Sequence, residues 1–278
     1  MDSHPDLDSV PNELLISILS QLPTPSLLPL VTVSHRFYAA TLQVLKLRLH
    51  HALAEPDHRL MLDFAGVEAE AEGSLPGAHE AAHSGGLRAI YSHFRPVEHD
   101  DNAPQRARVS RRRQSSIGTS GTSGGGQRSV VERPSIDVYL DDDESFSQLC
   151  ATTNLVRLGP KPGLFRSHVN VSDGVVRVWR EWLAARASEK AGEAATATDE
   201  VVLWVDAARD VGVRFRVTEK DIRAQHPVLV GNDEQLPVAY RLEFEELLVR
   251  SSTLLVMVEK SEVQEVVAEG KAIVLASF

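Results

Sequence analysis

Residues 10–49, VPNELLISILSQLPTPSLLPLVTVSHRFYAATLQVLKLRL, determine how the fold begins. Apolar side chains recur there at helical spacing and form two stripes: Leu14, Leu15, Ile18, Leu19 and Leu22, then Val33, Phe37, Val44 and Leu45. Pro11 suits the first turn of a helix, where its missing N–H costs nothing. Pro23 and Pro25 end this helix, and Thr24 between them is predicted to cap a short second one. Local rules therefore predict three helices.

The two apolar stripes are wider than the helices need for packing against one another. A unit of about forty residues buries too small a fraction of its surface to be stable alone. It must therefore pack on the rest of the chain or dock into a groove of another protein through apolar anchors. We expect its apolar side to stay open for a foreign partner.

This stretch resembles an F-box. The similarity is carried by Val10-Pro-x-Glu-Leu-Leu, by Ile18-Leu19 with Leu22, by Leu27-Leu28, and by Val33-Ser34-x-Arg followed by an aromatic residue. The resemblance implies a three-helix module that binds a Skp-type adaptor, which joins it to a cullin–RING ubiquitin ligase. It implies an adaptor-binding set made of Pro11, Leu15, Ile18, Leu19, Leu22, Leu27, Leu28, Val33 and Phe37.

Four positions depart from the usual F-box pattern. Val10 stands where leucine is usual, Ser26 where an acidic residue is common, and Phe37 where many members carry tryptophan. Pro29 lies inside the second helix and removes a backbone donor there, which predicts a kinked or shortened helix. Together these departures leave the assignment in place and could weaken the contact with the adaptor.

Composition and charge restrict the class of protein. The chain has 278 residues, of which 42% are hydrophobic and 24% charged, as is ordinary for a globular protein. Its net charge of −10 argues against nucleic-acid binding, which needs a cationic surface. The single cysteine, the acidic and polar N-terminus and the lack of a long apolar run predict a cytoplasmic or nuclear protein with no membrane partner.

After the helices, short segments of alternating or continuous apolar residues predict strands. They lie at residues 58–64, 87–97, 136–140, 166–171, 175–182, 201–205, 211–217, 240–245, 254–258 and 272–275. Residues 68–86, rich in Ala, Glu and Gly, predict a long loop. Residues 183–198 predict a surface helix or an insertion, and residues 243–250 could be helical instead of extended.

The fold class predicted from these elements is α+β. A three-helix F-box would occupy residues 1–54 and be followed by a mainly antiparallel, sandwich-like β domain, with a barrel as the alternative. Residues 55–99 would supply its first strands and the Ala/Glu/Gly-rich loop. Residues 100–135 are basic and rich in Ser and Gly, and predict a disordered insertion. Residues 136–278 would form the rest of the β domain, the candidate substrate-binding region.

Several short motifs suggest chemistry without the surroundings that the chemistry needs. His79-Glu80-x-x-His83 matches a zinc-hydrolase helix, but glycines flank it and no apolar face supports it, so it remains a minor alternative. Ser123 lies in a G-x-S-x-G match within Gly/Ser sequence, which lacks the strand and helix of a nucleophile elbow. Residues 141–144 are acidic but lack calcium-loop spacing. Ser115 and Ser116, next to a basic cluster, are candidate phosphorylation sites, against the ordinary alternative of a solvated basic loop.

The sequence therefore favours a non-catalytic substrate receptor of an SCF-type ubiquitin ligase. The helices would bind the Skp-type adaptor, the β domain would bind an unidentified protein target, and no cofactor or metal is expected. The alternative is a Skp-bound binding module outside ubiquitylation, for which the β domain would bind a peptide or glycan.

Overall fold

Three helical segments begin the chain in the computed structural model. They are α1 (Asn12–Leu19), α2 (Thr24–Leu27) continued by a 3₁₀ helix (Leu28–Thr32), and α3 (His35–Ala54). The structure describes residues 10–54, 57–74, 90–97, 133–161, 164–188, 201–221, 237–267 and 273–274. Most of the predicted insertion at 100–135, the His79/Glu80/His83 motif, Ser123 and the serines at 115 and 116 lie outside these residues.

The ends of the first two helices show how proline shapes them. Pro11 precedes the first turn of α1, and the Leu15 N–H donates to its carbonyl at 3.0 Å. Pro29 lies where α2 tightens into the 3₁₀ helix, so the predicted shortening is confirmed. The prediction that Thr24 caps α2 is wrong, because Pro23 holds the capping position and Thr24 is the first helical residue.

The strands pair throughout as antiparallel neighbours in one ten-stranded sheet. They are β1 (His58–Phe64), β2 (Val67–Ser74), β3 (Tyr91–Pro96), β4 (Ser135–Leu140), β5 (Phe146–Leu158), β6 (Leu164–Trp179), β7 (Val202–Trp204), β8 (Val211–Lys220), β9 (Val238–Arg250) and β10 (Ile273–Val274). Their order is β10-β6-β5-β1-β2-β3-β9-β8-β7. Strand β4 is outside this order and pairs with the first half of β9, from Val238 to Glu243.

The sheet curls until β6 approaches the end of β7 and nearly closes. At the seam the Ser172 hydroxyl donates to Asp206 Oδ2 at 3.3 Å. Gly174 passes so close that a Cβ there would lie 2.6 Å from the Val205 carbonyl oxygen, so only glycine fits without moving backbone. The predicted class, N-terminal helices followed by a mostly antiparallel β domain, is confirmed, with one nearly closed sheet.

Two further helices pack on the sheet. Helix α4 (Arg180–Ser188) follows β6 directly and buries Leu183. Helix α5 (Ser251–Val267) follows β9 and buries Leu254, Leu255 and Val258 in a core that it shares with the N-terminal helices. No helix among the described residues is long and apolar enough to cross a membrane.

Alternation in the barrel strands was predicted correctly where the side chains are large. Val211, Val213, Phe215 and Val217 of β8 point inward and are buried. Arg214 and Arg216 alternate with them and pair with glutamates of the neighbouring strand β9, at 2.8 Å and 2.7 Å respectively. Residues 243–250 are extended as part of β9, so the helical alternative for them is wrong.

Three secondary-structure predictions are wrong in part or in full. The loop predicted for residues 68–86 is wrong for its first part, because Val67–Ser74 is strand β2 and buries the small side chains of Ala69 and Ala71 beside exposed Glu68 and half-buried Glu70. Residues 75–86 lie outside the described residues. The segments 166–171 and 175–182 belong to one strand, β6, which ends at Trp179 where α4 begins. Residues 254–258 are helical within α5.

A half-buried carboxylate joins β3, β8 and β9. Glu246 on β9 lies 3.1 Å from His93 Nδ1 and 2.8 Å from Arg214 Nη1. Burial alone would raise the pKa of Glu246, but the hydrogen bond from His93 and the charges of His93, Arg214 and Arg95 outweigh it and lower the pKa below the usual 4.5.

We expect Glu246→Gln to lower the free energy of unfolding by about 1 kcal/mol at neutral pH. A depressed pKa gives stability that is present above the unfolded-state pKa and is lost as the pH falls through the folded-state value. We therefore expect the difference in free energy of unfolding between the unchanged chain and Glu246→Gln, measured by urea unfolding, to shrink as the pH is lowered from neutral to below 4.5. A deficit independent of pH would contradict the assignment.

Candidate functional site

Helix α1 has two apolar faces with opposite surroundings. Leu15 and Leu19, one turn apart, are 2% exposed and lie in the core. Leu14 and Ile18, also one turn apart, are 56% and 55% exposed. The wide apolar stripe of the sequence is thus divided, and one side of it faces outward.

The start of α3 is fixed against the start of α1. The Ser34 hydroxyl accepts the Phe37 N–H at 3.3 Å and caps α3. Arg36 donates from Nε to Asn12 Oδ1 at 2.9 Å and from Nη2 to the Val10 carbonyl. These bonds bring the two helix N-termini together.

We use the name hairpin surface for the exposed apolar residues Pro11, Leu14, Ile18 and Val33. Val33 is 61% exposed and lies just before α3, whose Arg36 reaches back to the start of α1. Exposed aliphatic groups on adjoining helix ends are typical of a protein–protein contact site. The hairpin surface has no catalytic group, so what it can do is dock an apolar partner.

The structure distributes the nine residues predicted from the F-box resemblance over three environments. Pro11, Ile18 and Val33 are exposed, Leu22, Leu28 and Phe37 are half-buried, and Leu15, Leu19 and Leu27 are buried. A partner that docks without opening the helices can touch only the first two groups. The buried leucines hold the helices on α3 and α5, so the predicted open apolar side is covered in part. Leu14 was not in the predicted set, although the spacing Leu14/Ile18 could have identified it.

A charged network that sequence reasoning missed fastens the helices to α5. The Glu259 carboxylate of α5 accepts the Thr24 N–H at 2.9 and 3.0 Å, as well as the Thr24 hydroxyl. It also pairs with Arg48 Nη1 of α3 at 2.8 Å. Arg48 donates in addition to the carbonyls of Ser20, at 2.9 Å, and Leu22, both in the turn that follows α1.

The Glu259 network has a clear structural role. It supplies an acceptor to the first N–H of α2, which a helix needs at its start, and donors to two carbonyls of the turn between α1 and α2. Because 211 positions separate Arg48 from Glu259, local sequence patterns cannot predict that they pair. The network makes the orientation of the hairpin surface depend on α5.

Helix α5 is itself held on the sheet at several points. The hydroxyls of Ser251 and Ser92 lie 2.9 Å apart, and Glu265 pairs with Arg157 of β5 at 2.6 Å. Gln264 accepts the His168 N–H of β6 at 2.8 Å. The helices and the β domain are therefore joined through α5 as one packed body.

Other candidate sites are weaker. A cleft of about 280 Å³ lies between α3 and α5, but Arg48 and Glu259 on its wall are already paired with each other. Within the ranges that the structure describes, no group of three or more His, Cys, Asp or Glu side chains is placed to hold a metal. The hairpin surface remains the best-formed candidate.

Comparisons with known proteins agree with this location. A protein-family model described as F-box-like matches residues 7–49, which include every residue of the hairpin surface. No curated protein and no solved structure matches the chain. No named repeat family was found in the C-terminal region. Residues 7–49 of this chain are an F-box-like domain.

Proposed function

We propose that this chain is the substrate receptor of an SCF-type ubiquitin ligase, which binds a Skp-type adaptor through the hairpin surface. F-box domains bind such adaptors within cullin–RING ligases. The observation that carries the proposal is the outward apolar face of α1, where Leu14 and Ile18 stay exposed although Leu15 and Leu19 of the same stripe are buried. An exposed pair of this kind inside an F-box-like domain is suited to docking in a partner's groove.

The proposed roles of the residues follow from their burial. Pro11, Leu14, Ile18 and Val33 would make direct contact, and the half-buried Leu22, Leu28 and Phe37 would complete the edge of the contact. Buried Leu15, Leu19 and Leu27 would act indirectly, by keeping the helices packed so that the contact residues have fixed positions.

The β domain would hold the target. Because α5 joins it firmly to the helices, a bound target would be kept at a set distance and orientation from the adaptor. The chain would then accelerate ubiquitylation by raising the local concentration of target lysines near the conjugating enzyme, without an acid, base or nucleophile of its own. Such a subunit would act in the cytoplasm or the nucleus.

Reconstitution with purified components tests the proposal. We expect the full chain to form a stable complex with a Skp-type adaptor, and a cullin–RING module to join only when the adaptor is present. Failure to bind the adaptor would refute the proposal. A complex with the adaptor that excludes the cullin would support the alternative, a Skp-bound binding module outside ubiquitylation.

A further inference from the structure

The outer face of the β5–β6 hairpin carries exposed apolar residues that no part of the described chain covers. Val175 and Trp179 of β6 are 55% and 49% exposed, whereas Val176 and Val178 between them are buried. Phe146 of β5 pairs in register with Trp179, and Cys150 with Val175. Outward-facing apolar side chains therefore flank Arg177 on this hairpin, at positions where an exposed antiparallel strand would ordinarily be polar.

The aromatic residues of this face form an ordered cluster. The rings of Phe146 and Trp179 lie 4.9 Å apart and are tilted by 52°. The Arg177 guanidinium lies 5.5 Å from the centre of the Phe146 ring. Trp, Phe and Arg side chains held in this way are the types enriched in the energetic centre of protein interfaces. Tyr139 on β4, 60% exposed, adds a further aromatic residue on the outer side of the sheet.

An acidic turn, residues 141–145, enters this face directly at Phe146. Its backbone is anchored by Arg180, which follows Trp179 and donates to the carbonyls of Glu144, at 3.0 Å, and Asp141. All four acidic side chains of the turn are exposed. Among the described residues, no ion pair engages the carboxylates of Asp142 or Asp143. We use the name aromatic–acidic surface for Phe146, Val175, Arg177, Trp179 and this turn.

We propose that the aromatic–acidic surface is the site where this receptor binds its protein target, and that the bound segment of the target combines lysine or arginine with apolar side chains. This inference rests on the proposed function. Basic groups would neutralise the unpaired carboxylates of the turn, while apolar groups would cover Trp179 and Val175. The same carboxylates repel nucleic-acid phosphates and anionic lipids, and a net charge of −10 disfavours association with a second copy of the chain.

The position of the surface suits simultaneous binding of adaptor and target. Helix α5 contacts the opposite end of the β5–β6 hairpin, at Arg157 and Ser167. Arg157 lies eleven positions after Phe146 along β5, a span of roughly 35 Å at the rise of an extended strand. The aromatic–acidic surface therefore lies at the end of the β5–β6 hairpin away from α5, the helix that holds the F-box-like helices, and this placement favours occupation of both surfaces at once.

A synthetic probe tests this binding without knowledge of the target. The probe is a short fluorescein-labelled peptide in which lysine alternates with valine and phenylalanine, and its matched control has glutamate in place of lysine. We expect the full-length chain to bind the lysine peptide, to bind it more weakly as salt increases, and to ignore the glutamate peptide. Fluorescence anisotropy gives the dissociation constants.

Two substitutions locate the binding. Trp179→Ala removes the apolar anchor, and the double variant Asp142→Asn/Asp143→Asn removes the charges of the turn; each is expected to weaken binding about tenfold. The control Glu68→Gln/Glu262→Gln removes the same charge from exposed positions elsewhere and should leave binding unchanged. Because the Asp142/Asp143 variant changes only exposed side chains, it keeps the proposal testable even if Trp179→Ala does not fold.

The outcomes are distinct from those of the proposed function. Adaptor capture is measured in the same samples and is expected to be equal for the unchanged chain and all variants. Loss of peptide binding in the control to the same extent would show a general charge effect and overturn the proposal. If the unchanged chain forms dimers that dissociate in Trp179→Ala, the surface binds a second copy of the chain and the proposal is overturned. If the peptide binds only after the basic residues of 106–113 are neutralised, the surface binds the chain's own basic segment, and the proposal is overturned as well. Peptide binding without adaptor capture would overturn the proposed function alone.

Discussion

Ile18→Asp is expected to abolish capture of a Skp-type adaptor while leaving the fold intact. Ile18 is 55% exposed in the free chain, so an aspartate there remains hydrated and costs little. In the complex the same carboxylate would be buried against apolar groups without a partner, which costs about 3 kcal/mol or more. Affinity measured by calorimetry should therefore fall by about a hundredfold or more, with the free energy of unfolding unchanged.

The matched control for this variant is Val266→Asp. Val266 is 79% exposed on α5 and lies outside the hairpin surface, so the substitution introduces the same charge at an exposed apolar position. It should bind the adaptor as the unchanged chain does. Equal affinities for Ile18→Asp and Val266→Asp would mean that the exposed face of α1 is not the contact, and the proposed function would lose its main support.

Aspartate at Leu19 would test a different property. Leu19 is 2% exposed, so its replacement places a charge in the core shared by the helices and α5. We attribute any loss of adaptor binding in such a variant to unfolding of the helices. Burial, and not membership of the apolar stripe, decides which leucines can report on an interface.

The N-terminal helices could be predicted from the sequence because their signals are local. Proline positions and helical spacing define α1, α2 and α3 within residues 10–49. The division of the stripe into buried Leu15 and exposed Leu14 could not be predicted, because α3 and α5 provide the covering surface and α5 follows some two hundred residues later. Tertiary contacts decide which side of an amphipathic helix stays open.

The errors in the β domain have physical reasons that particular residues show. β2 was missed because Ala69 and Ala71 bury too little apolar area to produce a visible alternation, although both are buried. β5, which was not predicted at all, places the small Ala151 and Thr153 between buried Leu149 and Leu155, and this interrupts the alternation of large apolar side chains. The apolar run 254–258 fits a strand or a helix equally, and such short runs cannot be told apart by periodicity. Both kinds of error concern elements whose identity depends on what packs against them.

Glu259→Ala is expected to release the N-terminal helices from α5 and to lower the free energy of unfolding by about 3 kcal/mol. The substitution removes the acceptor for the Thr24 N–H, the Thr24 hydroxyl and Arg48 together. Thr24 is fully buried, so its donors would lose their partner without gaining water unless the helices separate from α5. Urea unfolding measures the loss, and hydrogen exchange at the Thr24 amide shows where it occurs.

A second carboxylate on the same helix provides the control for position. Glu265 is also half-buried and ion-paired, but its partners Arg157 and Arg166 belong to β5 and β6. Glu265→Ala should therefore destabilise the chain without accelerating exchange at Thr24, whereas Glu259→Ala should do both. A double-mutant cycle with Arg48→Ala isolates the pair, and we expect a coupling free energy of about 1 kcal/mol or more. If the Thr24 amide is as well protected in Glu259→Ala as in the unchanged chain, the packing of α3 on α5 alone holds the N-terminal helices. The position of a bound target relative to the adaptor would then not depend on this network.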